Sequence, residues 1–337
     1  MTAQHRELLD SVLRLFNLIP DYDLDIMEPD QPLEAITATI LRKFADVLDH
    51  ARPDVVLVHG DTTTAMSAAL GAFYRKIPVA HVEAGLRSGK MDAPWPEELN
   101  RRIITLATEF HFAPTENARA NLLTEGIADQ KIFVTGNTVV DALKFVWNRI
   151  ENGDGHTNRF LEAFNYLNSA KKLILVTGHR RENFGPGISA ICEAIVRLAK
   201  QEDVEIIYPV HPNPNVRYEV YGRLLDQPGV FLIEPLEYES FVYLMGRASL
   251  IITDSGGVQE EAPSLGKPVL VCREVTERPE AVLAGGAQLV GCDADRIVRE
   301  AELLLRRDSA ASLWRPSLYG DGQASERIRA ILERELA

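Results

Sequence analysis

The sequence predicts an α/β protein built from two Rossmann-like, doubly wound domains that face a cleft. Three observations indicate this: short apolar runs that end in Gly or a polar residue, longer segments of helical period between them, and one break in this rhythm near mid-chain. A β-rich run followed by a helix-like segment is typical of parallel β-α units. In such sheets ligands bind beyond the carboxyl ends of the strands, so the residues there are the functional candidates.

Seven apolar runs are predicted as strands, and they span residues 55–59, 78–83, 131–136, 173–178, 204–210, 250–254 and 268–272. The chain of 337 residues exceeds the usual size of one domain. Gly, Asn and charged residues interrupt the pattern over 151–172, which we predict to be a linker. The predicted domains are therefore an N-terminal domain over 1–150 and a second domain over 173–318, followed by 319–337.

Composition and charge exclude several classes of function. Apolar residues make up 46% and charged residues 25%, the balance of a soluble globular protein. The net charge of -13, without a long Lys/Arg run, argues against nucleic acid as a partner. No apolar stretch reaches the roughly 18 residues of a membrane span, and residues 1–10 lack the apolar region of a signal peptide. We expect a cytoplasmic protein that does not bind a membrane.

The cysteines do not indicate a disulfide framework or a metal site. Cys192, Cys272 and Cys292 are few and scattered, and none is spaced from another Cys or His as in a zinc site. We expect them to be small buried apolar residues. The chain also lacks the Gly-x-Gly-x-x-Gly fingerprint of nicotinamide dinucleotide sites, so no cofactor and no metal are expected.

Two strand-end loops in the first domain carry carboxylates. HGDTTTA, 59–65, places Asp61 before three threonines, either as part of a helix cap or as an acid or base in the cleft. In HVEAGLRSGKMDAPWPEELNR, 81–101, Glu83 ends a strand, where a core would exclude a carboxylate. The Pro-Trp-Pro sequence stiffens the approach to Glu97. Alternatively, Glu97 and Glu98 only begin a helix and interact with its dipole.

Two loops in the second domain carry histidine and arginine. TGHRRENFG, 177–185, sets His179, Arg180 and Arg181 at the start of a predicted helix. A histidine next to two arginines at a strand end is typical of a phosphate-binding site rather than of a core. HPNPNVR, 211–217, adds His211 and another arginine at the neighbouring strand end, although its prolines are also consistent with a simple tight turn.

The most specific motif is LIITDSGGVQEEAPSLGKPV, 250–269. Its Ser-Gly-Gly turn, Ser255 to Gly257, precedes a helix whose free N–H groups and positive dipole end favour a diphosphate. Glu261, one turn into that helix, is placed to accept hydrogen bonds from a ribose diol. Arg278, in CREVTERPEA, can close over the same group. The turn alone is weak evidence, whereas the complete motif with its downstream arginine is strong evidence for a nucleotide diphosphate site.

Together these motifs resemble the non-hydrolysing UDP-N-acetylglucosamine 2-epimerases, which interconvert UDP-GlcNAc and UDP-ManNAc. The matching strings are HGDTTTA, HVEAGLRSG, PWPEE, TGHRREN, YPVHPNPNVR, TDSGGVQEEAPSLGKPVLV and TERPEA, and the likeness extends from Thr2 to GDGQAS at 320–325. The resemblance implies the glycosyltransferase-B type of two-domain fold, with a C-terminal helix over 325–336 that packs back on the first domain. It also implies a homodimer and a role in cell-surface polysaccharide biosynthesis.

The resemblance also implies roles for individual residues. The family's catalytic groups fall on Asp61, Glu83, Glu97 and His179. Its substrate contacts fall on Leu236 and Phe241 near the uracil, on Ser255, Gly256 and Gly257 at the phosphates, on Glu261 at the ribose, and on Arg278. Some bacterial members bind a second UDP-GlcNAc as an allosteric activator, and the positions that resemble that site are Gln4, Arg180 and His211.

The chain departs from the family pattern at its start. Family members begin with a strand and a loop resembling Gly-Thr-Arg-Pro-Glu, whose Arg and a following Lys contact the substrate, and this sequence starts beyond them. We expect an N-terminal truncation, with a cost in stability and activity from an uncovered sheet position and missing charges.

The expected chemistry explains why three carboxylates are needed. The C2 hydrogen of a GlcNAc residue is not next to a carbonyl, so direct deprotonation is prohibitive, whereas elimination of UDP acidifies this hydrogen and gives 2-acetamidoglucal. Re-addition with a proton delivered to the other face makes the epimer. We assign Asp61 and Glu97 as the proton-transfer pair, Glu83 as their orienting or electrostatic partner, and His179 with Arg278 as stabilisers of the diphosphate.

Three alternative functions remain at this stage. A glycosyltransferase of the same fold would share the Ser-Gly-Gly turn and Glu261, but it would not require carboxylates on both faces of C2. A hydrolysing epimerase, which releases free ManNAc, differs only in admitting water. A sugar-nucleotide-binding protein without turnover would keep the second domain's site and lack the substrate-binding Arg and Lys at the start of the family pattern.

Overall fold

The protein divides into two compact units. The structure is a computed structural model that describes residues 2, 6–26, 28, 31–152, 156–306 and 318–337. The first unit contains Met1–Asp141 and Tyr319–Ala337, and the second contains Ala142–Leu318. Within the segment 151–172, Phe160 and Phe164 are buried and stack on Tyr243, with ring centroids 4.9 and 5.9 Å apart. The contacts therefore assign the described part of that segment to the second unit.

The first unit has a parallel sheet with the strand order β1-β2-β3-β4. Apolar, β-branched strands alternate with amphipathic helices, which cover the apolar faces of the sheet. The elements are α1 (Arg6–Leu15), α2 (Leu33–Ala51), β1 (Val56–His59), α3 (Thr63–Tyr74), β2 (Val79–Val82), α4 (Glu97–Ala107), β3 (Phe110–Ala113), α5 (Glu116–Thr124), β4 (Ile132–Val134), α6 (Thr138–Asn152, which extends into the second unit) and, at the chain end, α14 (Ala324–Glu335).

The C-terminal helix α14 belongs to the first unit. Its Ile328 is buried in one core cluster with Ala80, Val82 and Phe112 of the sheet. The Asp141 carboxylate accepts hydrogen bonds from the first N–H groups of this helix, at 3.1 and 2.8 Å. A carboxylate at a helix N-terminus satisfies N–H groups that have no partner within the helix. The helix is therefore attached both by apolar packing and at its N-terminus.

The second unit has a larger parallel sheet with the order β10-β9-β8-β5-β6-β7. The strand order reverses direction between β5 and β8, which is typical of a doubly wound sheet with its ligand site at that point. The elements are α7 (His156–Ala163), β5 (Lys172–Thr177), α8 (Pro186–Leu198), β6 (Val204–Pro209), α9 (Pro214–Leu224), β7 (Val230–Ile233), α10 (Tyr238–Arg247), β8 (Leu250–Thr253), α11 (Val258–Ser264), β9 (Val269–Val271), α12 (Pro279–Leu283), β10 (Ala287–Leu289) and α13 (Ala294–Leu305).

All seven predicted strands are present, and the described residues contain three more, β3, β7 and β10. Strands β7 and β10 are the edges of the second sheet, so they are only half buried and their sequences are short. Strand β3 is central but contains His111, a polar residue that masks the apolar pattern. Among the described helices, none is long and apolar enough to cross a membrane.

The cysteines largely follow the prediction. Cys192 and Cys272 are buried, while Cys292 is only partly buried and its Sγ lies 3.2 Å from Asn183 Oδ1. Burial raises the pKa of Cys192 to about 12 and that of Cys292 to about 11. These thiols are protonated at neutral pH, which agrees with a packing role.

Two buried histidines on neighbouring strands make stability depend on pH. His81 of β2 and His111 of β3 are register partners with no exposed surface. Burial lowers the pKa of His81 to about 3 and that of His111 to about 4. The unfolded chain binds protons at these sites below about pH 6.5, and the folded chain does not. Stability is therefore complete above pH 6.5 and falls as the pH drops towards 4.

We expect the urea midpoint to decrease from pH 7.5 to pH 5.5, with a slope of roughly 1.4 kcal/mol per pH unit for each histidine below its unfolded pKa. His111→Gln should reduce this slope by roughly 1.4 kcal/mol per pH unit, and the exposed His50→Gln should leave it unchanged. A midpoint that does not respond to pH in the parent protein would contradict the assignment of neutral buried histidines.

Candidate active site

Asp61 lies at the carboxyl end of β1 beside a buried arginine. Helix α3 is capped by Thr62, whose side chain accepts the N–H of Ala65 at 3.2 Å, so the capping role belongs to the residue after Asp61. The Asp61 Oδ2 lies 3.4 Å from Nη2 of Arg101, whose side chain is only 2% exposed. The side chain of Asp61 keeps 27% exposure. Asp61 therefore combines a partly exposed carboxylate with a buried cation beside it.

Glu83 follows β2 in a backbone conformation that few side chains adopt. Its φ of 68° lies in the left-handed region, where a non-glycine residue is uncommon and is often functional. Asn137 Nδ2 donates to Glu83 Oε1 at 2.8 Å, and His59 Nε2 lies 3.7 Å from the same oxygen. A Cβ at Gly60 would lie 3.2 Å from Glu83 Oε2. Asn137, His59 and Gly60 therefore surround the Glu83 carboxylate and restrict its orientation.

Glu97 and Glu98 begin α4 but have different environments. The Ala93-Pro94 and Trp95-Pro96 peptide bonds before them are cis. Glu98 has no exposed side-chain surface and accepts the N–H of Ser88 at 3.0 Å, with guanidinium nitrogens of Arg101 and Arg102 at 3.6 and 3.4 Å. Glu97 is only half buried. Glu98 therefore has a structural role, whereas the side chain of Glu97 is partly exposed with its Oε2 atom buried.

The loop between β2 and α4 is attached to the first unit by Arg87. Its guanidinium donates to both oxygens of Glu125, at 2.8 and 2.7 Å, and to Thr105 Oγ1 at 2.9 Å. Hydrogen bonding from Arg87 lowers the pKa of Glu125. A bidentate guanidinium-carboxylate pair restricts geometry as well as adding energy. The loop that carries Glu83 and precedes Glu97 is therefore fixed at Arg87.

In the second unit, Asp254 connects two strand-end loops. It follows β8, has no exposed surface, and accepts the backbone N–H of His179 at 3.1 and 3.0 Å and that of Arg180 at 2.9 Å. Asn183 Nδ2 donates to the same carboxylate at 3.0 Å. The ring of His179 stacks on that of His211, with centroids 5.4 Å apart. The loops after β5, β6 and β8 thus meet at His179.

The Ser-Gly-Gly turn lies directly under Arg278. A Cβ at Gly256 would lie 2.7 Å from Arg278 Nη1 and 3.1 Å from Glu277 Oε1, so a side chain there would displace the guanidinium. Arg278 donates through Nε to Glu260 and through Nη1 to Glu277, and both carboxylates are buried. Two carboxylates therefore fix a guanidinium over the turn, as expected for an anion site.

Glu261 is buried one turn into α11. Tyr238 donates its hydroxyl to Glu261 Oε1 at 2.5 Å. Burial raises the pKa of Glu261, while the hydrogen bond from Tyr238 and the charge of Arg278 oppose this rise. Leu236 and Phe241 precede and follow Tyr238 in the chain and are half buried. A carboxylate fixed by a tyrosine hydroxyl is suited to accept hydrogen bonds from a ribose diol.

Comparison with known proteins identifies the family. The family model described as UDP-N-acetylglucosamine 2-epimerase matches residues 1–333. The chain belongs to this family. The epimerase of Salmonella typhimurium is 54% identical over 336 residues, which is 99% of this chain and 89% of that protein. The Escherichia coli epimerase is 53% identical with the same coverage.

Solved structures of epimerases agree with this family assignment. The crystal structure of UDP-GlcNAc 2-epimerase from Neisseria meningitidis, bound to UDP-GlcNAc, has a TM-score of 0.93 and 48% identity and covers 99% of this chain and 90% of that chain. The Methanocaldococcus jannaschii epimerase in complex with UDP-GlcNAc and UDP has a TM-score of 0.88 and 36% identity, covering 99% and 90%. Sucrose-phosphate synthase of Thermosynechococcus elongatus, 13% identical with a TM-score of 0.61, covers 92% and 80% and shows the fold alone. Two Rossmann-like domains of the glycosyltransferase-B type are thereby confirmed.

The epimerase chain gathers the predicted residues into two groups. The first unit places Asp61, Glu83 and Glu97 at strand ends and at the start of α4. The second unit places His179, the Ser255–Gly257 turn, Glu261 and Arg278 around the ends of β5 and β8, with Arg180 and His211 beside His179. Gln4 lies outside the described residues. No cluster of three or more metal-ligating side chains occurs in the described ranges.

Sequence reasoning missed the residues that support these groups. They are Arg101, Asn137, Tyr238, Asp254 and Glu277. Asp254 had a visible signal, because a carboxylate directly after a fully buried strand has no place in a core without partners. The partner of Asn137 lies 54 residues away in the chain. No local pattern reveals that pairing.

Proposed function

We propose that this chain interconverts UDP-GlcNAc and UDP-ManNAc by non-hydrolysing epimerisation at C2. The observation that carries the proposal is the set of three carboxylates in the first unit, Asp61, Glu83 and Glu97, each at a strand end or helix start and each in a different environment. Inversion at C2 by elimination requires a proton-transfer group on each face of this carbon. Membership of the epimerase family supports the same activity.

Elimination begins at the diphosphate. As the C1–O bond to UDP breaks, the electron pair moves to the β-phosphate oxygen, which gains negative charge. The N–H groups of the Ser255–Gly257 turn, the guanidinium of Arg278 and the ring of His179 stabilise this charge in the proposed complex. The ribose diol donates to Glu261, whose position is fixed by Tyr238. The second unit thereby acts as the leaving-group site.

Proton transfer completes the elimination and then reverses it on the other face. Positive charge at C1 acidifies the C2 hydrogen, and one carboxylate of the Asp61 and Glu97 pair removes it to give 2-acetamidoglucal. The retained UDP then attacks C1 while the other carboxyl group, which starts the cycle protonated, delivers its proton to the opposite face of C2. The two carboxyl groups thereby exchange their protonation states. Glu83, fixed by Asn137, stabilises the positive charge at C1. All atoms are conserved, and neither water nor a cofactor takes part.

Proton NMR in deuterium oxide tests the proposal. Incubation with UDP-GlcNAc should give UDP-ManNAc, with deuterium at C2 in both sugar nucleotides and no free sugar. Free ManNAc would establish the hydrolysing reaction instead, because water then traps the intermediate. Binding of UDP-GlcNAc without deuterium incorporation or product would overturn the enzymatic proposal and support the sugar-nucleotide-binding alternative.

Asn137→Ala tests whether Glu83 acts in the reaction. The change removes the hydrogen bond to Glu83 Oε1, and loss of a hydrogen bond to a charged group corresponds to a decrease in kcat of roughly 10- to 100-fold. UDP affinity should not change, because Asn137 belongs to the first unit. Asn168→Ala is a matched control, since Asn168 is exposed and its amide oxygen accepts only the local N–H of Ala170. A wild-type kcat in Asn137→Ala would show that Asn137 does not orient Glu83 for the reaction.

A further inference from the structure

Asp254 is a buried carboxylate beside a site that we expect to bind an anion. It has no exposed surface and accepts four hydrogen bonds, three from the backbone of His179 and Arg180 and one from Asn183. Such a charge is costly to bury and is usually compensated by its partners. Here the donors come from the loop after β5, while Asp254 immediately precedes the Ser-Gly-Gly turn. The carboxylate therefore connects the two loops proposed to surround the diphosphate.

The ring of His179 is oriented towards this carboxylate. Its Nδ1 lies 3.7 Å from Asp254 Oδ1, and its face stacks on the ring of His211 at an interplanar angle of 19°. The side chain nevertheless keeps 39% exposure, so part of the ring is accessible. The charged or titratable groups facing His179 are Asp254 after β8, His211 after β6 and Arg180 in its own loop. One ring nitrogen thus lies near the Asp254 carboxylate, and part of the ring remains exposed.

We propose that Asp254 is a positioning residue that holds His179 with Nδ1 towards its carboxylate, so that His179 gains a proton when a diphosphate arrives and binds it as an imidazolium. The inference rests on the proposed function, which places the diphosphate of UDP beside His179. It extends that function by naming the residue behind the histidine and by predicting proton uptake on binding.

Diphosphate binding changes the number of protons on His179 by one. In the empty site, burial lowers the pKa of His179, while Asp254 partly opposes this effect and Arg180 adds to it. The ring is then neutral at pH 7.5. The negative diphosphate favours the charged ring, which takes one proton from solvent. In the bound state Nδ1–H faces Asp254, and Nε2–H donates to a phosphate oxygen.

Calorimetry of UDP binding in two buffers with different ionisation enthalpies measures this proton directly. At pH 7.5, the wild-type protein should take up more protons than His179→Asn, by up to one per site. Because UDP itself titrates near this range, the difference between the two proteins reports His179 and cancels the ligand's own ionisation. Equal proton uptake by the wild-type protein and His179→Asn would overturn the proposal. This test does not depend on any variant of Asp254.

Asp254→Asn tests the positioning role. We expect roughly 10-fold weaker UDP binding at pH 7.5 and loss of most of the extra proton uptake, because the amide neither carries charge nor accepts the loop N–H groups through both atoms. Asp203→Asn is the matched control, since Asp203 is 60% exposed in the same unit. A folded Asp254→Asn protein with wild-type affinity and proton uptake would refute the role of Asp254.

A failure of the inference about Asp254 and His179 can be distinguished from a failure of the proposed epimerase function. Deuterium incorporation at C2 by the wild-type protein tests epimerisation alone. Wild-type turnover together with equal proton uptake in wild type and His179→Asn would reject only the inference about Asp254 and His179. Absence of UDP binding to the wild-type protein would instead reject the proposed function.

Discussion

Replacing Glu97 by Gln is expected to lower kcat for C2 epimerisation by roughly 10²- to 10⁴-fold, the usual contribution of a general acid or base. The amide has nearly the same shape as the carboxylate but can neither remove nor deliver the C2 proton. Glu97 is the first residue of α4 and its Oε2 atom is buried, but the amide keeps the shape of the side chain, so the change should preserve the fold. Turnover is measured by NMR, UDP affinity by calorimetry and stability by thermal unfolding, and only turnover should change.

The next residue provides the matched control. Glu98→Gln is the same chemical change on the same helix, but Glu98 is fully buried against Arg101 and Arg102. Removing one partner of a buried ion pair costs about 3–5 kcal/mol, so the melting temperature should drop by roughly 6–20 °C. If Glu97→Gln kept wild-type turnover, or lost stability as Glu98→Gln does, Glu97 would not be a proton-transfer residue.

Gly256→Ala is expected to weaken UDP binding by roughly 10- to 100-fold, which corresponds to the loss of a charge-assisted hydrogen bond. The added Cβ would lie 2.7 Å from Arg278 Nη1, so the guanidinium must leave its position over the turn. Arg278 cannot move alone, because Glu260 and Glu277 bind it from within the core. Calorimetry of UDP binding gives the affinity directly.

A control for the extra methyl group is Gly222→Ala. Among the described residues, no atom outside the neighbouring backbone of α9 lies within 4 Å of a Cβ built at Gly222, which is exposed. This change should leave UDP affinity at the wild-type value and slightly favour the helix. UDP binding to Gly256→Ala as tight as to Gly222→Ala would show that Arg278 does not contact the diphosphate.

Much of the site was predictable because its residues occupy positions that parallel sheets use for ligands. Asp61, Glu83, His179 and the Ser255–Gly257 turn each follow a recognisable apolar run, so strand prediction alone placed them at strand ends. Their roles as catalytic and substrate-binding residues stay predictions. Glu97 and Glu98 illustrate the limit, because their identical side chains differ in burial through contacts made across the loop from Ser88.

The sequence by itself determined that this protein has two parallel α/β units, because hydrophobic period and strand-end chemistry are local properties of the chain. It also determined the family, through long motifs in a fixed order. Only the tertiary structure decided which groups orient the site: Asn137 meets Glu83, Arg101 lies behind Asp61, and Asp254 joins the loops after β5 and β8. The physical reason is that buried polar groups must find partners wherever the fold supplies them, and such partners are remote in the chain.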